Sequence, residues 1–239
     1  MAADAYLLDL AETSDSTPIL RLYGWDRPSI TIGFHQRLER ALRVPQLGDT
    51  PVVRRVTGGR ALLHDDREIT YAVAGDFRRF PMLGQSLHES YHKIAEAIVA
   101  FYRGIGWPAY VSRRDDPVPL GRPSAVQKGC YAAVSQHEIV VGRQKIAAGS
   151  QRRTRSTLLQ HGAIRIAPPQ FHPAIVNPPQ SEESEQLPEV KERRESLVQI
   201  LCRALEMTFG IRLESEPFSC PEKTVISMRL EEFKNMNPQ

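Results

Sequence analysis

The 239-residue sequence predicts an α+β fold, a single domain of mixed β-sheets flanked by helices. Three observations predict it. Short apolar runs rich in β-branched and aromatic residues recur along the chain. Two long segments carry apolar residues at helical spacing. No repeat and no break in composition divides residues 1–239. With 41% hydrophobic and 25% charged residues the composition is globular, and the length suffices to bury a large core without disulfides.

Residues 4–14 read as a helix. "PILRLYGW" and "PSITIGF" are β-rich runs separated by "DR", with Pro28 at the boundary, and read as a hairpin or as adjacent strands. "TPVVRRV", "RALLHD" and "EITYAVAG" read as further strands. "SLHESYHKIAEAIVAFYRGIG" spaces Leu87, Tyr91, Ile94, Ala95, Ile98 and Phe101 along one helical face and stops at Gly104 and Gly106. "HEIVVG", "KIAAGS" and "LLQHGAIRI" return to strand. "QLPEVKERRESLVQILCRALEMTFGI" is a second long helix, with Leu197, Ile200, Leu201, Ala204 and Leu205 on its apolar face and Gly210 as its stop. Residues 112–128 and the start of 178–195 read as surface loops, and the chain beyond Phe233 as a frayed tail.

The net charge of +3 is too mild to imply nucleic acid. Arginines cluster at Arg37/Arg40/Arg43, Arg54/Arg55, Arg113/Arg114 and Arg152/Arg153/Arg155. They suit an acidic protein partner or a solvated surface. The three cysteines (Cys130, Cys202, Cys220) form no regular framework, which implies reduced thiols in a cytoplasm. "MAADAYLLDLAETSDS" lacks the basic start of a signal peptide, and no run approaches the roughly 18 apolar residues of a membrane span.

Chemistry concentrates in a few stretches. In "RRVTGGRALLHDD" two glycines separate two strands. They make a hairpin turn, or a backbone cradle for an anion or carbonyl oxygen to which Arg54, Arg55 and Arg60 add positive charge. In "GCYAAVSQHEIVVGRQKIAAGSQ" Cys130 and Lys145 flank a turn at Gly142. An ammonium near a thiol favours the thiolate and offers a donor to an oxyanion. On spacing alone they read as a buried cysteine and a surface lysine. "HESYH", residues 88–92, has the HExxH form of a zinc site, but the extended motif fails at Ala95 and Ile98. It reads as a solvated helix face, so no metal is expected.

Taken in order, four blocks resemble one superfamily. "RLYGWDRPSITIGFHQ" is similar to an R-x-Y-x-W-x-x-P-x-x-x-x-G-x-x-Q opening, and "RRVTGGRALLHDDREITYAV" to an RRxTGGGxVxHxxxxLTYS signature. "CYAAVSQHEIVVGRQKIAAGSQRR" and "LLQHGAIRI" are similar to later CFxxPSxYELxVxGRKxxGSAQxR and LQHGSI blocks. This is the lipoate-protein ligase A and biotin protein ligase superfamily, and the resemblance covers most of residues 18–166. Arg60 in "GGRA" and Cys130 at the head of its block favour the octanoyltransferase branch. Little chain remains for the C-terminal accessory domain of long lipoate ligases, so residues 1–239 are expected to be one catalytic domain.

The resemblance implies a fold and an activity. The fold is biotin/lipoate protein ligase-like. Cys130 takes an octanoyl group from acyl-carrier protein as a thioester, and a lysine of a lipoyl domain or of the glycine-cleavage H protein then takes it as an amide. Lys145 stabilises the oxyanion and the thiolate. Arg55, Thr57, Gly58, Gly59, Arg60, His64, Gly149 and Ser150 bind substrate, and the runs at 61–63 and 146–148 help form an apolar slot. No cofactor is required, because a thioester is already activated. Val134, His137, Gln144, Ala148 and Gly149 depart from the family pattern and bear on substrate preference. The alternatives are an ATP- and magnesium-dependent lipoate ligase, a lipoyl-domain amidotransferase, and an inactive lipoyl-domain or acyl-carrier binding protein. Neither nucleic acid nor membrane is an expected partner. Cys202 and Cys220 are read as structural, and His161 as packing or substrate-lining.

Overall fold

The computed structural model describes residues 1–13, 16–112, 138–142, 144–168, 170, 172–175 and 187–235. As the sequence predicts, helices flank two sheets. Six antiparallel strands form the larger sheet: β1 (Ile19–Tyr23), β5 (Glu68–Asp76), β9 (Thr157–Arg165), β8 (Gln144–Arg153), β7 (Ile139–Val141) and β6 (Tyr110–Val111), in that order. The smaller sheet places β2 (Ser29–Ile32) between β3 (Val52–Arg54), which runs parallel to it, and β4 (Leu62–His64), which runs antiparallel.

This arrangement corrects two local readings. β1 and β2 do not form a hairpin, because they lie in different sheets. The Gly58–Gly59 segment is not a hairpin turn either, because β3 and β4 lie on opposite sides of β2. A segment freed from hairpin geometry can instead close over a neighbouring loop.

One face of the large sheet is covered by α3 (Leu87–Gly104) and α4 (Arg194–Phe209). α3 starts with a side-chain cap related to a capping box. Ser86 accepts from the Glu89 amide while Glu89 reaches back to the Gln85 amide. This gives the glutamate of "HESYH" a structural role, and His92 pairs with Glu96 on the exposed side. α4 starts later than periodicity suggests, after Pro188, and ends at Gly210 with φ of 65°.

α1 (Ala2–Leu10) covers the other face. Its Leu7 and Leu8 pack on Ala72, Ala74 and Leu159. α5 (Cys220–Asn235) docks on α1 through Tyr6, Glu222, Asp9 and Arg229. The sequence reading assigns no helix here, and only the chain beyond Phe233 was expected to be tail. Its weak amphipathicity hides it, and tertiary docking makes it. The small sheet joins the large one where Leu62 meets Ala148 and Ala163.

Two local devices shape the middle of the molecule. β8 and β9 carry small residues where they face each other, and a Cβ on Gly162 would lie 2.1 Å from the Ala148 carbonyl oxygen. β8 also holds one extra residue, Ile146, against β7, since Ile139 faces Ala147 while Val140 faces Lys145. In unbroken alternation Lys145 would share a face with Ala147 and Gly149, and the bulge re-aims it. The buried Tyr102 hydroxyl lies 2.9 Å from the Ile146 carbonyl and 2.8 Å from that of Arg165.

Two stability changes follow. Tyr102→Phe removes the one hydroxyl proton that these two buried carbonyls share and is expected to cost about 1–3 kcal/mol in urea unfolding. An unchanged midpoint would remove Tyr102 as the pin of the bulge. Gly33→Ala would place a Cβ 2.1 Å from the Gly59 carbonyl oxygen. It is expected to cost about 1–3 kcal/mol, and a variant as stable as the parent would show that the approach is not tight.

Candidate active site

The end of β3 organises the site. Successive side chains of a strand point to opposite sides, so Arg54 and Arg55 serve two different loops. Arg54 reaches the carbonyls of Gly33, Phe34 and Gln36. Arg55 is buried and reaches the Gly58 and Arg60 carbonyls at 2.9 and 2.8 Å. The sequence reading makes both arginines positive charge for an anion or a partner. In the structure both are turned to backbone oxygens. Gly33 lets the two loops touch, and Gly59 takes φ of 90°, open to glycine at little cost.

Each side of the 57–60 segment is tied to a buried carboxylate through a histidine and a threonine. On one side Glu68 accepts from His64 Nδ1 at 2.6 Å, and Thr31 Oγ1 lies 2.8 Å from His64 Nε2. Arg55 donates to the same Thr31 oxygen at 2.7 Å. Trp25 stacks on the His64 ring with centroids 4.4 Å apart. Arg165 completes this cluster by bridging Glu68 and Asp65. Burial pushes the Asp65 carboxyl up, but Arg165 outweighs it and holds it below its ordinary value.

On the other side Asp4 Oδ2 lies 3.0 Å from His161 Nδ1. His161 Nε2 lies 2.6 Å from Thr57 Oγ1, which lies 2.6 Å from Ser150 Oγ. β8 and β9 set this geometry, since Ser150 and His161 face each other across the ladder. Burial pushes the Asp4 carboxyl up, but the His161 bond and nearby positive charge outweigh it and hold it well below the carboxylate range. Burial lowers the pKa of His161 despite Asp4.

Between these chains lies an open cleft. It is lined by Arg55, Gly59, Arg60, His64, Gly149 and Ser150, together with Leu62, Ala148 and His161. Six of the ten expected site residues therefore meet in one place. Thr57 sits behind Ser150, and the Gly58 carbonyl turns to Arg55. Lys145 is not among the residues lining this cleft. It is buried, against the surface reading, with Nζ 2.7 Å from Glu138 Oε2. Glu138 lines a second open pocket with Tyr91, Ile98 and Ala147, and Ala148 and Gly149 border both pockets. The expected apolar runs thus contribute Leu62 to the first pocket and Ala147 to the second. Burial pushes the Tyr71 phenol up to about 12, so it stays protonated beside Gly149. Cys130 lies outside the described residues. Cys202 is half-buried on α4, and Cys220 is exposed at the start of α5.

Sequence reasoning missed Asp4, Tyr23, Thr31, Glu68, Glu138 and Arg165. Asp4 carried one usable signal, an acidic residue on the side of α1 that is otherwise Ala and Leu. Arg165 closes "LQHGAIR", but its partners lie about 100 residues earlier.

Residues 1–210 match the model of the lipoyl protein ligase A/B catalytic domain. Among curated relatives, Octanoyltransferase LipM of Kyrpidia tusciae is 37% identical over 170 residues, which are 70% of this chain and 61% of that protein. Octanoyltransferase LipM of Staphylococcus aureus is 30% identical over 167 residues, 69% of this chain and 60% of that protein. The chain thus spans about three fifths of the length of these relatives. Among solved structures, lipoate-protein ligase A bound with ATP aligns with a TM-score of 0.77 at 18% identity, over 97% of this chain and 88% of that one. The bi-partite lipoate protein ligase of Thermoplasma acidophilum aligns with a TM-score of 0.69 at 17% identity, over 97% and 86%. These two likenesses are of fold, and they agree with the α+β architecture described above. The chain belongs to the lipoyl protein ligase A/B catalytic domain family.

Proposed function

We propose that this chain is an octanoyltransferase that works through a Cys130 thioester, with residues 1–239 acting as one catalytic domain. What carries the reading is the identity of 37% to a named octanoyltransferase over 70% of the chain. The cleft supports it. Its wall is apolar at Leu62 and Ala148, where an acyl chain would lie. The Gly58 and Gly59 amides have no hydrogen-bond partner among the described residues.

The donor is octanoyl-acyl-carrier protein. The Cys130 thiolate bonds to the thioester carbonyl carbon, and the carrier thiolate leaves and takes a proton. A lysine amine of a lipoyl domain or of the glycine-cleavage H protein then attacks the new thioester. An amide forms, and the Cys130 thiolate is released. Each attack creates an oxyanion. The Lys145 ammonium, held by Glu138, is assigned to it and to the thiolate. A thioester needs no ATP and no metal. Arg60 and Arg152, near the cleft, suit an acidic carrier or lipoyl domain. A cytoplasmic setting fits free thiols, and no helix among the described residues is long and apolar enough to cross a membrane.

Intact mass after incubation with octanoyl-acyl-carrier protein, without ATP, tests the reading. The parent is expected to gain one octanoyl group and lose it to a lipoyl domain, while Cys130→Ala gains none. Modification by Cys130→Ala that needs lipoate, ATP and magnesium would make the chain a ligase. Loading only from an octanoylated H protein would make it an amidotransferase. Lys145→Met is expected to slow octanoyl loading about 100-fold or more. A loss under about threefold would take Lys145 out of the oxyanion site.

A further inference from the structure

Asp4 is wholly buried and surrounded by donors. Oδ1 accepts from Arg21 Nη1 at 2.7 Å. Oδ2 accepts from the Tyr23 hydroxyl at 2.8 Å and faces His161 Nδ1 at 3.0 Å. A carboxylate beside a guanidinium and a phenol hydroxyl is ionised and can only accept. His161 must therefore carry a proton on Nδ1.

Burial lowers the ring's pKa below its ordinary value, so at neutral pH the ring is uncharged and Nε2 is an acceptor. Thr57 Oγ1, at 2.6 Å, must give Nε2 its one proton. Ser150, at 2.6 Å, must then give its own proton to Thr57. Every donor in the row is used, and each assignment follows from the one before. Ser150 lines the cleft, and Thr57 is the one hydrogen-bond partner of its hydroxyl among the described residues. What the hydroxyl offers the cleft is lone pairs. A buried carboxylate on α1 thus sets the polarity of a hydroxyl on β8.

An acceptor placed there repels a carbonyl oxygen or an oxyanion. Of the groups that meet in an acyl transfer to lysine, the attacking amine is the one that brings N–H to it. We propose that Ser150 accepts a hydrogen bond from that amine and aims its lone pair at the acyl carbon, with Thr57, His161 and Asp4 as positioning residues. The inference rests on the acyl-transfer reading. As the N–C bond forms, the C–S bond to Cys130 breaks, and the proton shed by nitrogen goes to the departing thiolate. No further reactant is needed.

The test separates loading from discharge. Octanoyl-enzyme is prepared from octanoyl-acyl-carrier protein, freed of donor, and mixed with a lipoyl domain bearing an unmodified lysine. Ser150→Ala is expected to lower the ratio of discharge rate to loading rate about 10-fold or more, and Ser150→Thr to restore it. Asp4→Asn provides a second readout. Arg21 keeps the amide oxygen at the Oδ1 position, so the NH₂ faces His161. The ring tautomer flips, and the Ser150 proton is driven into the cleft. ¹⁵N-histidine NMR is expected to show His161 protonated on Nδ1 in the parent and on Nε2 in Asp4→Asn, whose discharge falls with that of Ser150→Ala. Should Asp4→Asn fail to fold, the parent spectrum and the Ser150 pair carry the test. An unchanged ratio in Ser150→Ala, or parent His161 protonated on Nε2, overturns the proposal while leaving the transferase intact. A parent that takes no octanoyl group removes the transferase reading and this role with it.

Discussion

The site depends on the contact between Gly33 and the Gly59 carbonyl. A side chain on Gly33 would stand 2.1 Å from that oxygen, so the two loops meet at backbone distance. Neither loop belongs to a hairpin that would hold it. Arg54 gathers the carbonyls of one, and Arg55 those of the other. Two adjacent residues at the end of a strand thereby fix two loops in opposite directions. Guanidinium–carbonyl bonds suit this task, because a planar fork with five donors satisfies several acceptors at once.

Behind the loops stand two carboxylate–histidine–threonine rows of similar design. One runs from Glu68 through His64 to Thr31, and ends on Arg55. The other runs from Asp4 through His161 to Thr57, and ends on Ser150. Both bury ionisable groups at a cost that only full pairing offsets. Such networks hold one geometry, since any shift leaves a buried polar group unmet. Their cleft ends differ, one a guanidinium and the other a hydroxyl acting as acceptor. A single cleft thereby presents opposite polarities on two walls.

Much of the site was legible in local sequence, because its motif residues lie close together in the chain. Arg55, Gly59, Arg60 and His64 sit within ten residues, and Gly149 and Ser150 are neighbours on a strand. Their partners were not legible. Asp4 meets His161, and Asp65 meets Arg165, across at least 100 residues. Periodicity reports one element at a time and carries no distance between elements. Most strands were placed well for the same reason, since their signal is local. Pairing was misjudged where chain order suggested hairpins, at β1–β2 and at the Gly58–Gly59 segment. α5 was missed because docking on α1, rather than its own amphipathic pattern, makes it a helix.

By itself the sequence determined the α+β class, the long helices, the family and the small residues that hollow out β8 and β9. Those are matters of spacing and of side-chain size, which the chain carries locally. Only the tertiary structure decided that Lys145 is buried against Glu138, that the paired arginines turn to backbone carbonyls, and that Ser150 stands against Thr57 at the end of a buried row. A bulge at Ile146 re-aims the lysine, and a carboxylate near the N-terminus meets the histidine behind the serine. Burial, long-range pairing and proton direction arise from contacts between elements, and no window of sequence contains them.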